Sequence, residues 1–177
     1  MPCAWQWIFL CHSRMPHIKG YAPHRIPIYD NPRISYAEPY HWGRKGSAYE
    51  GLFYGVKYEC VEFIRRYYIQ VYGVTFQEID NADDLFSITH GIDIMRKKRV
   101  PFHMIPLKDL TDASSMKKDD IVIWKKAGPY QQTGHVAIVV EVLSDKKVRV
   151  VEQNGPTKDG ERTIRLYPGI LGLARLG

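Results

Sequence analysis

Cysteine is scarce in this sequence, which contains only Cys3, Cys11 and Cys60. An odd number of irregularly spaced cysteines argues against the disulfide framework of a small secreted domain. Cys3 and Cys11 could pair with each other, but we expect all three cysteines to be free thiols. This cysteine usage favours a reducing compartment such as the cytoplasm.

Long apolar segments are also missing. The apolar run at residues 4–10 is too short to span a membrane, and it lacks the basic start and the small-residue cleavage site of a secretory signal. No other segment approaches the length of a membrane span. We therefore expect a cytoplasmic protein without a membrane partner, in which residues 1–19 form an N-terminal arm.

Acidic residues are fewer than basic ones, which gives a formal net charge of +6. Such a balance suits anionic partners such as nucleic acid, an acidic wall polymer or an acidic peptide. The basic clusters are short, however, and no zinc-finger spacing, Walker loop or RNP-like run accompanies them. We interpret them as solvated faces and loops, and we expect no nucleic-acid partner. The clusters are Arg65-Arg66, Arg96-Lys97-Lys98-Arg99, Lys117-Lys118 and Lys125-Lys126.

Metal-ligand spacing is absent around the later cysteine and histidine. Nothing near Cys60 or His135 supplies a second and a third ligand at local spacing. The histidines of the first quarter are scattered and form no motif. We therefore expect neither a metal nor another cofactor. These scattered residues are His12, His17, His24 and His41.

The residue patterns of the sequence predict one globular domain, residues 20–177. Prolines between residues 16 and 48 predict loops and short extended pieces. Apolar residues at spacings of three and four predict an amphipathic helix from Cys60 to Tyr72, which Gly73 ends. A second helical piece is predicted to begin at Asn81, a good N-cap. The pair His90-Gly91 should interrupt it, and another short helical turn is expected to follow.

After Pro106 the pattern changes to strands rich in Val and Ile. Two of them form a hairpin around the turn Ser144–Lys147. Helices followed by an antiparallel sheet of about five strands indicate the α+β class. The predicted strands are 121–124, 134–143, 148–153, 161–167 and 170–175.

Three positions carry chemistry. Cys60 opens the helix, His135 opens an apolar strand, and Glu152 lies on the next strand. A thiol attacks as its thiolate, which an imidazolium and the positive end of a helix both stabilise. The N–H groups of the same helix end could hold an oxyanion. This arrangement predicts a nucleophilic thiol site.

The partner of the histidine is left open between two residues. Glu152 and Asn154 are two residues apart and are predicted to alternate on one face of the strand. Either could accept a hydrogen bond from the imidazole of His135 and fix its orientation, as in a catalytic triad. Taken one at a time, the same residues have simpler interpretations: an inert buried thiol, a satisfied polar histidine and an exposed strand charge.

The sequence segments around Cys60, His135 and Glu152 resemble the CHAP amidases, and in particular the amidase domains of glutathionylspermidine synthetase/amidase enzymes. The resemblance spans about residues 20–177 and includes Ile170-Leu171-Gly172. It implies a papain-like (NlpC/P60-like) α+β fold with N-terminal helices on an antiparallel sheet, and thiol hydrolysis of an amide. The segments that carry it are Gly20-Tyr21-Ala22-Pro23, Ile28-Tyr29, residues 58–66, Thr133–Ile138 and Val151-Glu152-Gln153-Asn154.

The resemblance also implies roles for residues. Cys60 would be the nucleophile, His135 the base and then the acid, and Glu152 the orienting group, with Asn154 as a supporting polar residue. Arg65 matches a family arginine that would meet a substrate carboxylate, although a solvated helix arginine is an equal alternative. Glu59 departs from the family pattern, which has glutamine there. An ionised glutamate would repel an oxyanion, so Glu59 bears on rate and substrate preference.

The expected reaction is cleavage of the amide between glutathione and spermidine, a small-molecule substrate. The synthetase half of such enzymes is absent from this sequence, so we expect cleavage of the conjugate without its synthesis. A cationic polyamine would need a local acidic groove. The alternatives are a peptidoglycan amidase or endopeptidase and a non-catalytic module that keeps the groove. Candidate groove residues are Glu59, Asp80, Asp83 and Asp84.

Overall fold

The computed structural model describes residues 17–31, 39–42, 51–56 and 58–177, with the backbone alone at 39–42. The predictions for Cys3, Cys11 and the apolar run at residues 4–10 lie outside the described residues. Residues 18 and 19 of the predicted arm belong to the first strand. The division of the chain after residue 19 therefore remains a prediction.

The described chain begins with two small hairpins, continues into one α-helix and ends in a large sheet. Its elements are β1 (Ile18–Ala22), β2 (Ile26–Tyr29), β3 (Pro39–Trp42), β4 (Leu52–Val56), α1 (Cys60–Tyr72), β5 (Val74–Thr75), β6 (His90–Asp93), β7 (Lys98–Pro106), β8 (Ile121–Trp124), β9 (His135–Ser144), β10 (Lys147–Val151), β11 (Glu161–Ile164) and β12 (Ile170–Leu176).

The central sheet has eight antiparallel strands in the order β11-β10-β9-β8-β12-β7-β6-β5. The five predicted strands are contiguous within it, but the expected total of about five was wrong. The missed strands β5, β6 and β7 extend the sheet beyond β12. These strands were not predicted because β7 begins in a basic cluster and contains Pro101, while β6 contains His90-Gly91.

The described residues contain a single α-helix, so the expected set of N-terminal helices was also wrong. α1 has the predicted bounds, and Gly73 ends it with a left-handed φ of 66°. The segment after Asn81 is a 3-10 helix, Ala82–Ser87, in which Asn81 and Asp84 cap each other. Strand β6, rather than a helical turn, follows it. No helix in the described ranges is both long and apolar enough to cross a membrane.

Both faces of the sheet are covered. Along β8, Ile121 and Ile123 pack with the cluster beneath α1, whereas Val122 and Trp124 pack with a second cluster on the other side. Alternating side chains of a strand point to opposite faces, so a strand covered on both sides is apolar throughout. α1 therefore packs against the middle of the sheet, close to the start of β9.

A buried polar network fixes the start of α1. Glu62 and Arg66 are fully buried, so the interpretation of the Arg65-Arg66 cluster as a solvated face was wrong for Arg66. Arg66 Nε lies 2.6 Å from Glu62 Oε1, and Gln153 Nε2 donates to Glu62 Oε2 at 2.9 Å and to the Glu59 carbonyl oxygen at 3.2 Å. Buried charges are tolerated when they are paired and hydrogen-bonded. The network ties the first turn of α1 to the segment that follows β10.

Candidate active site

Cys60 is the first residue of α1 and is 7% exposed. The preceding residue, Glu59, has extended backbone angles, and its side chain does not cap the helix. The first intrahelical bond runs from the Phe63 N–H to the Glu59 carbonyl oxygen at 3.1 Å. The sulfur therefore lies at the positive end of the helix, next to first-turn N–H groups that the Glu59 carboxylate does not occupy.

His135 is the first residue of β9 and is 2% exposed. It pairs with Trp124 of β8 in the sheet register. The preceding Gly134 has a φ of +70°, and a Cβ there would lie 2.7 Å from the Trp124 carbonyl oxygen. Glycine is therefore required at this turn, which leads the chain into β9 with the imidazole directed inward.

Glu152 follows the last residue of β10 and is fully buried. Its backbone N–H donates to the Gly160 carbonyl oxygen at 2.8 Å. Its Oε2 atom lies 2.7 Å from Nε2 of His135. Cys60 is also close enough to the imidazole to raise its pKa, and because Nε2 faces Glu152, Nδ1 is the ring nitrogen left for the sulfur. The structure thus brings together the three residues predicted for the site.

Burial and neighbouring charges shift the pKa values of His135 and Glu152 in opposite directions. Burial lowers the pKa of His135, but Cys60 and Glu152 outweigh it and raise that pKa to about 9. Burial raises the pKa of Glu152, but His135 and Arg162 outweigh it, so the pKa of this carboxyl lies below its usual value. The arrangement therefore favours an imidazolium beside an ionised carboxylate at neutral pH.

Asn154 occupies a different place from Glu152. β10 ends at Val151, so the predicted alternation does not continue, and Asn154 is exposed with a left-handed φ of 61°. Its Nδ2 donates to Glu59 Oε2 at 2.8 Å, and Asn31 Nδ2 donates to Glu59 Oε1 at 3.3 Å. Two amides therefore hold the Glu59 carboxylate beside the site, while Glu152 alone of the two candidates contacts the imidazole.

Arg65 is buried, at 2% exposure, so it is not the solvated helix arginine of the alternative interpretation. Its NH1 group donates to the Tyr54 carbonyl oxygen at 2.7 Å, and its NH2 group donates to the Gln77 carbonyl oxygen at 3.0 Å. The guanidinium lies 4.6 Å from the centre of the Phe76 ring. Burial lowers the pKa of Arg65 to about 10 despite nearby glutamates. In this position Arg65 supports the wall of the cleft beside Cys60.

Two clefts meet at Glu59. The first, of about 330 Å³, contains Cys60 and is lined by the acidic residues Glu78 and Asp80 as well as Glu59. The second, of about 890 Å³, lies on the other side of Glu59. Of the predicted groove residues, Asp83 and Asp84 do not line either cleft. Asp83 instead lies 3.5 Å from Lys126, and Asp84 caps Asn81. The second cleft is lined by His17, Lys19, Asp30, Asn31, Asn154, Gly155, Pro156, Thr157 and Lys158.

Sequence reasoning missed two residues of the site, Arg162 and Tyr130. Arg162 Nε lies 2.6 Å from Glu152 Oε1, and the Tyr130 ring stacks on His135 with centroids 4.5 Å apart and an interplanar angle of 9°. A single arginine or tyrosine far from the motifs gives no signal in one sequence. The β10–β11 register, which pairs Val150 with Arg162, is the observation that could have placed the arginine here.

A known protein family matches more than half of the chain. The family model described as "CHAP domain" matches residues 49–154, which include Cys60, His135 and Glu152. The chain belongs to the CHAP family. This membership fits the papain-like α+β fold that the resemblance implied. Within the described residues, no group of three or more His, Cys, Asp or Glu side chains could hold a metal ion.

The CHAP chain is similar to several larger proteins. It is 30% identical over 152 residues to the bifunctional glutathionylspermidine synthetase/amidase of Escherichia coli strain K12, a match that covers 82% of this chain and 24% of that protein. It is 28% identical over 144 residues to trypanothione synthetase of Crithidia fasciculata, with 80% and 21% covered. The chain thus spans about a quarter of the length of these relatives.

Among solved structures, the chain is similar to the wild-type endolysin LysIME-EF1. It is 23% identical to this chain, with a TM-score of 0.42, and the match covers 69% of this chain and 53% of the endolysin.

A substitution at Gly155 tests the position of the Glu152 carboxylate. A Cβ at this position would lie 2.1 Å from Glu152 Oε1, so Gly155→Ala must displace the carboxylate. Since a shift of about 1 Å within an active site can cost about 10²-fold in rate, we expect kcat for amide hydrolysis to fall about 10- to 100-fold. Steady-state kinetics beside a thermal melt would measure this. An unchanged kcat in the folded variant would contradict the placement of Glu152.

Proposed function

We propose that this protein is a thiol-dependent amide hydrolase in which Cys60 is the nucleophile, His135 the general base and acid, and Glu152 the orienting carboxylate. The observation that carries the proposal is the buried 2.7 Å bond between His135 Nε2 and Glu152 Oε2, next to the buried Cys60, which raises the pKa of the same imidazole. The family membership and the amidase named among the relatives support the same reaction class.

Acylation begins with attack of the Cys60 thiolate on the amide carbonyl carbon. The carbonyl oxygen takes the negative charge, and the first-turn N–H groups of α1 are suitably placed to stabilise it. His135, protonated when the thiolate forms, gives its proton to the departing amine nitrogen. The C–N bond breaks, the amine leaves, and the acyl group remains on Cys60 as a thioester.

Deacylation uses the same residues, and His135 changes its role from acid to base. His135 is now neutral and removes a proton from a water molecule, which attacks the thioester carbonyl. The C–S bond breaks, the carboxylic acid leaves, and the proton on His135 restores the imidazolium beside the Cys60 thiolate. Throughout the cycle Glu152 accepts from Nε2 and keeps Nδ1 directed at the sulfur.

The substrate that we propose is the amide between glutathione and spermidine. The cleft that contains Cys60 carries the acidic residues Glu59, Glu78 and Asp80, which suit a cationic amine on the leaving side of the bond. The charge of the whole protein, +6, would not attract a polyamine. Local acidic groups must therefore provide the recognition, and a cytoplasmic location remains part of this proposal.

Two substrates assayed side by side test the proposal. Purified protein is incubated with glutathionylspermidine, and release of glutathione and spermidine is followed by mass spectrometry. A suspension of bacterial cell walls is incubated in parallel, with turbidity as the readout. Release from the conjugate alone supports the proposed substrate, whereas clearing of the walls alone supports a peptidoglycan hydrolase. No hydrolysis of either, in folded protein, would favour a non-catalytic module.

Glu59→Gln tests the electrostatic contribution to substrate choice. The variant keeps the size of the side chain but removes one negative charge at the junction of the two clefts, so we expect KM to rise several-fold for the cationic conjugate. For an analogue with a neutral amine the change in KM should be smaller, because a neutral amine is not attracted by the charge of Glu59. Glu141→Gln, at an exposed position on β9, is the matched control. Equal changes for both substrates would contradict this assignment.

A further inference from the structure

Arg162 contacts several residues of the site, although the proposed mechanism gives it no role. It lies on β11 and reaches the carboxylate of Glu152 with two nitrogens. Its Nε atom lies 2.6 Å from Oε1, and its NH2 group donates to Oε2 at 2.9 Å. Oε2 is also the atom that contacts His135. One carboxylate therefore joins the guanidinium and the imidazole.

The same guanidinium also contacts the aromatic residues around the imidazole. Its NH2 group donates to the Tyr130 hydroxyl at 2.9 Å, and its central carbon lies 5.1 Å from the centre of the Trp124 ring. Tyr130 stacks on His135, and the Trp124 ring centre lies 5.5 Å from that of His135. Arg162 thus contacts both Glu152, which binds the imidazole of His135, and Tyr130, whose ring covers one face of that imidazole.

The burial of Glu152 makes these contacts energetically important. A fully buried carboxylate loses its hydration and ionises only when cations and donors replace the water. The charged and titratable groups that face it are His135 from β9, Arg162 from β11, Tyr130 from its short turn and, through the imidazole, Cys60 from α1. Arg162 is the permanent cation among them, because a guanidinium stays protonated where an imidazole titrates.

We propose that Arg162 is a positioning residue of the thiol site, which holds the Glu152 carboxylate against the imidazole of His135 and holds the Tyr130 ring flat against the same imidazole. This inference rests on the proposed function, since it assigns Arg162 a task within the same site. Arg162 touches neither the sulfur nor the reacting carbonyl. It acts through Glu152 and Tyr130.

Removal of the guanidinium has a defined direction of effect. In Arg162→Met the buried carboxylate loses its permanent cation, which raises the pKa of Glu152. A less ionised Glu152 stabilises the imidazolium less, and the thiolate forms only at higher pH. The acid limb of the pH profile should therefore move upward by about one pH unit or more, and kcat near neutral pH should fall about 10- to 100-fold with little change in KM.

The test measures the rate of Cys60 alkylation by iodoacetamide from pH 5 to 10, with peptide mass spectrometry as the readout. This measurement needs no substrate, so it stays interpretable even if the amide assay fails. The variants are Arg162→Met, Arg162→Lys and the control Arg165→Met, which removes an exposed arginine three residues away. They are compared in a background with Cys3→Ser and Cys11→Ser, and thermal melts confirm that each variant is folded.

We expect an upward shift of the half-maximal pH in Arg162→Met, a smaller shift in Arg162→Lys, where a cation remains, and none in Arg165→Met. A shift in both Arg162→Met and the control would mean that net charge alone acts, and it would overturn the inference. So would an unchanged or lowered half-maximal pH in Arg162→Met, even if the variant melts earlier. Wild-type protein that is alkylated normally but hydrolyses no amide contradicts the proposed function, not this inference.

Discussion

Cys60→Ala is expected to abolish amide hydrolysis, with kcat lowered about 10⁴-fold or more. The substitution removes the sulfur on which the thioester forms, and neither His135 nor Glu152 can replace it as the nucleophile. Alanine is compatible with the first turn of α1, and the lost side chain is small, so the folded state should remain. Steady-state hydrolysis of glutathionylspermidine, beside a thermal melt, measures both effects.

The other two cysteines provide the matched control for this prediction. Cys3→Ser and Cys11→Ser together should leave kcat and KM close to the wild-type values, because neither thiol is assigned a role in the reaction. If Cys60→Ala keeps more than about a tenth of the wild-type kcat, a thioester on Cys60 is not the intermediate. In that case the cleft would serve binding or a different chemistry.

Glu152→Gln is expected to lower kcat on the order of 10²- to 10⁴-fold. The amide can neither balance the imidazolium nor accept from both His135 and Arg162 as the carboxylate does. Loss of the carboxylate lowers the pKa of His135 from about 9. The alkaline limb of the pH–rate profile should therefore move to lower pH, as measured by kcat/KM from pH 5 to 10.

The same substitution has a signature in stability. The folded-state pKa of His135 is raised from 6.5 to about 9, so its proton stabilises the folded protein fully below pH 6.5. This stabilisation is lost as the pH rises from 6.5 through about 9. Urea unfolding at a series of pH values should show the loss in the wild type and a weaker pH dependence in Glu152→Gln. An identical pH dependence in both proteins would contradict the coupling of His135 to Glu152.

Much of the site could be predicted because its residues lie at the ends of regular elements. Cys60 begins a helix with a strong apolar period and a glycine stop, and His135 begins a long run of Val and Ile. A hairpin between β9 and β10 then brings His135 and Glu152 to the same end of the sheet. The strand pattern by itself left Glu152 and Asn154 open, because the choice depends on where β10 ends, and only the family resemblance favoured Glu152.

Other parts of the fold had no local signal. β6 and β7 contain glycine, proline and a basic cluster, which are typical of turns. They belong to the sheet because β7 pairs with β12 and β6 pairs with β7. Arg162 contributes to the site through strand register and burial of its partner, neither of which is encoded in a short motif. Glu62 and Arg66 look solvent-exposed by period, yet they are buried because Gln153 completes their network.

The pH dependence of Cys60 alkylation tests the central claim most directly. In protein carrying Cys3→Ser and Cys11→Ser, Cys60 is the remaining thiol, and the rate of its reaction with iodoacetamide reports the thiolate. The proposed site predicts rapid alkylation at neutral pH that is slowed by His135→Ala. A rate that rises only near pH 8.5, as for an unperturbed thiol, and that His135→Ala leaves unchanged, would contradict the thiolate–imidazolium pair and with it the hydrolase mechanism.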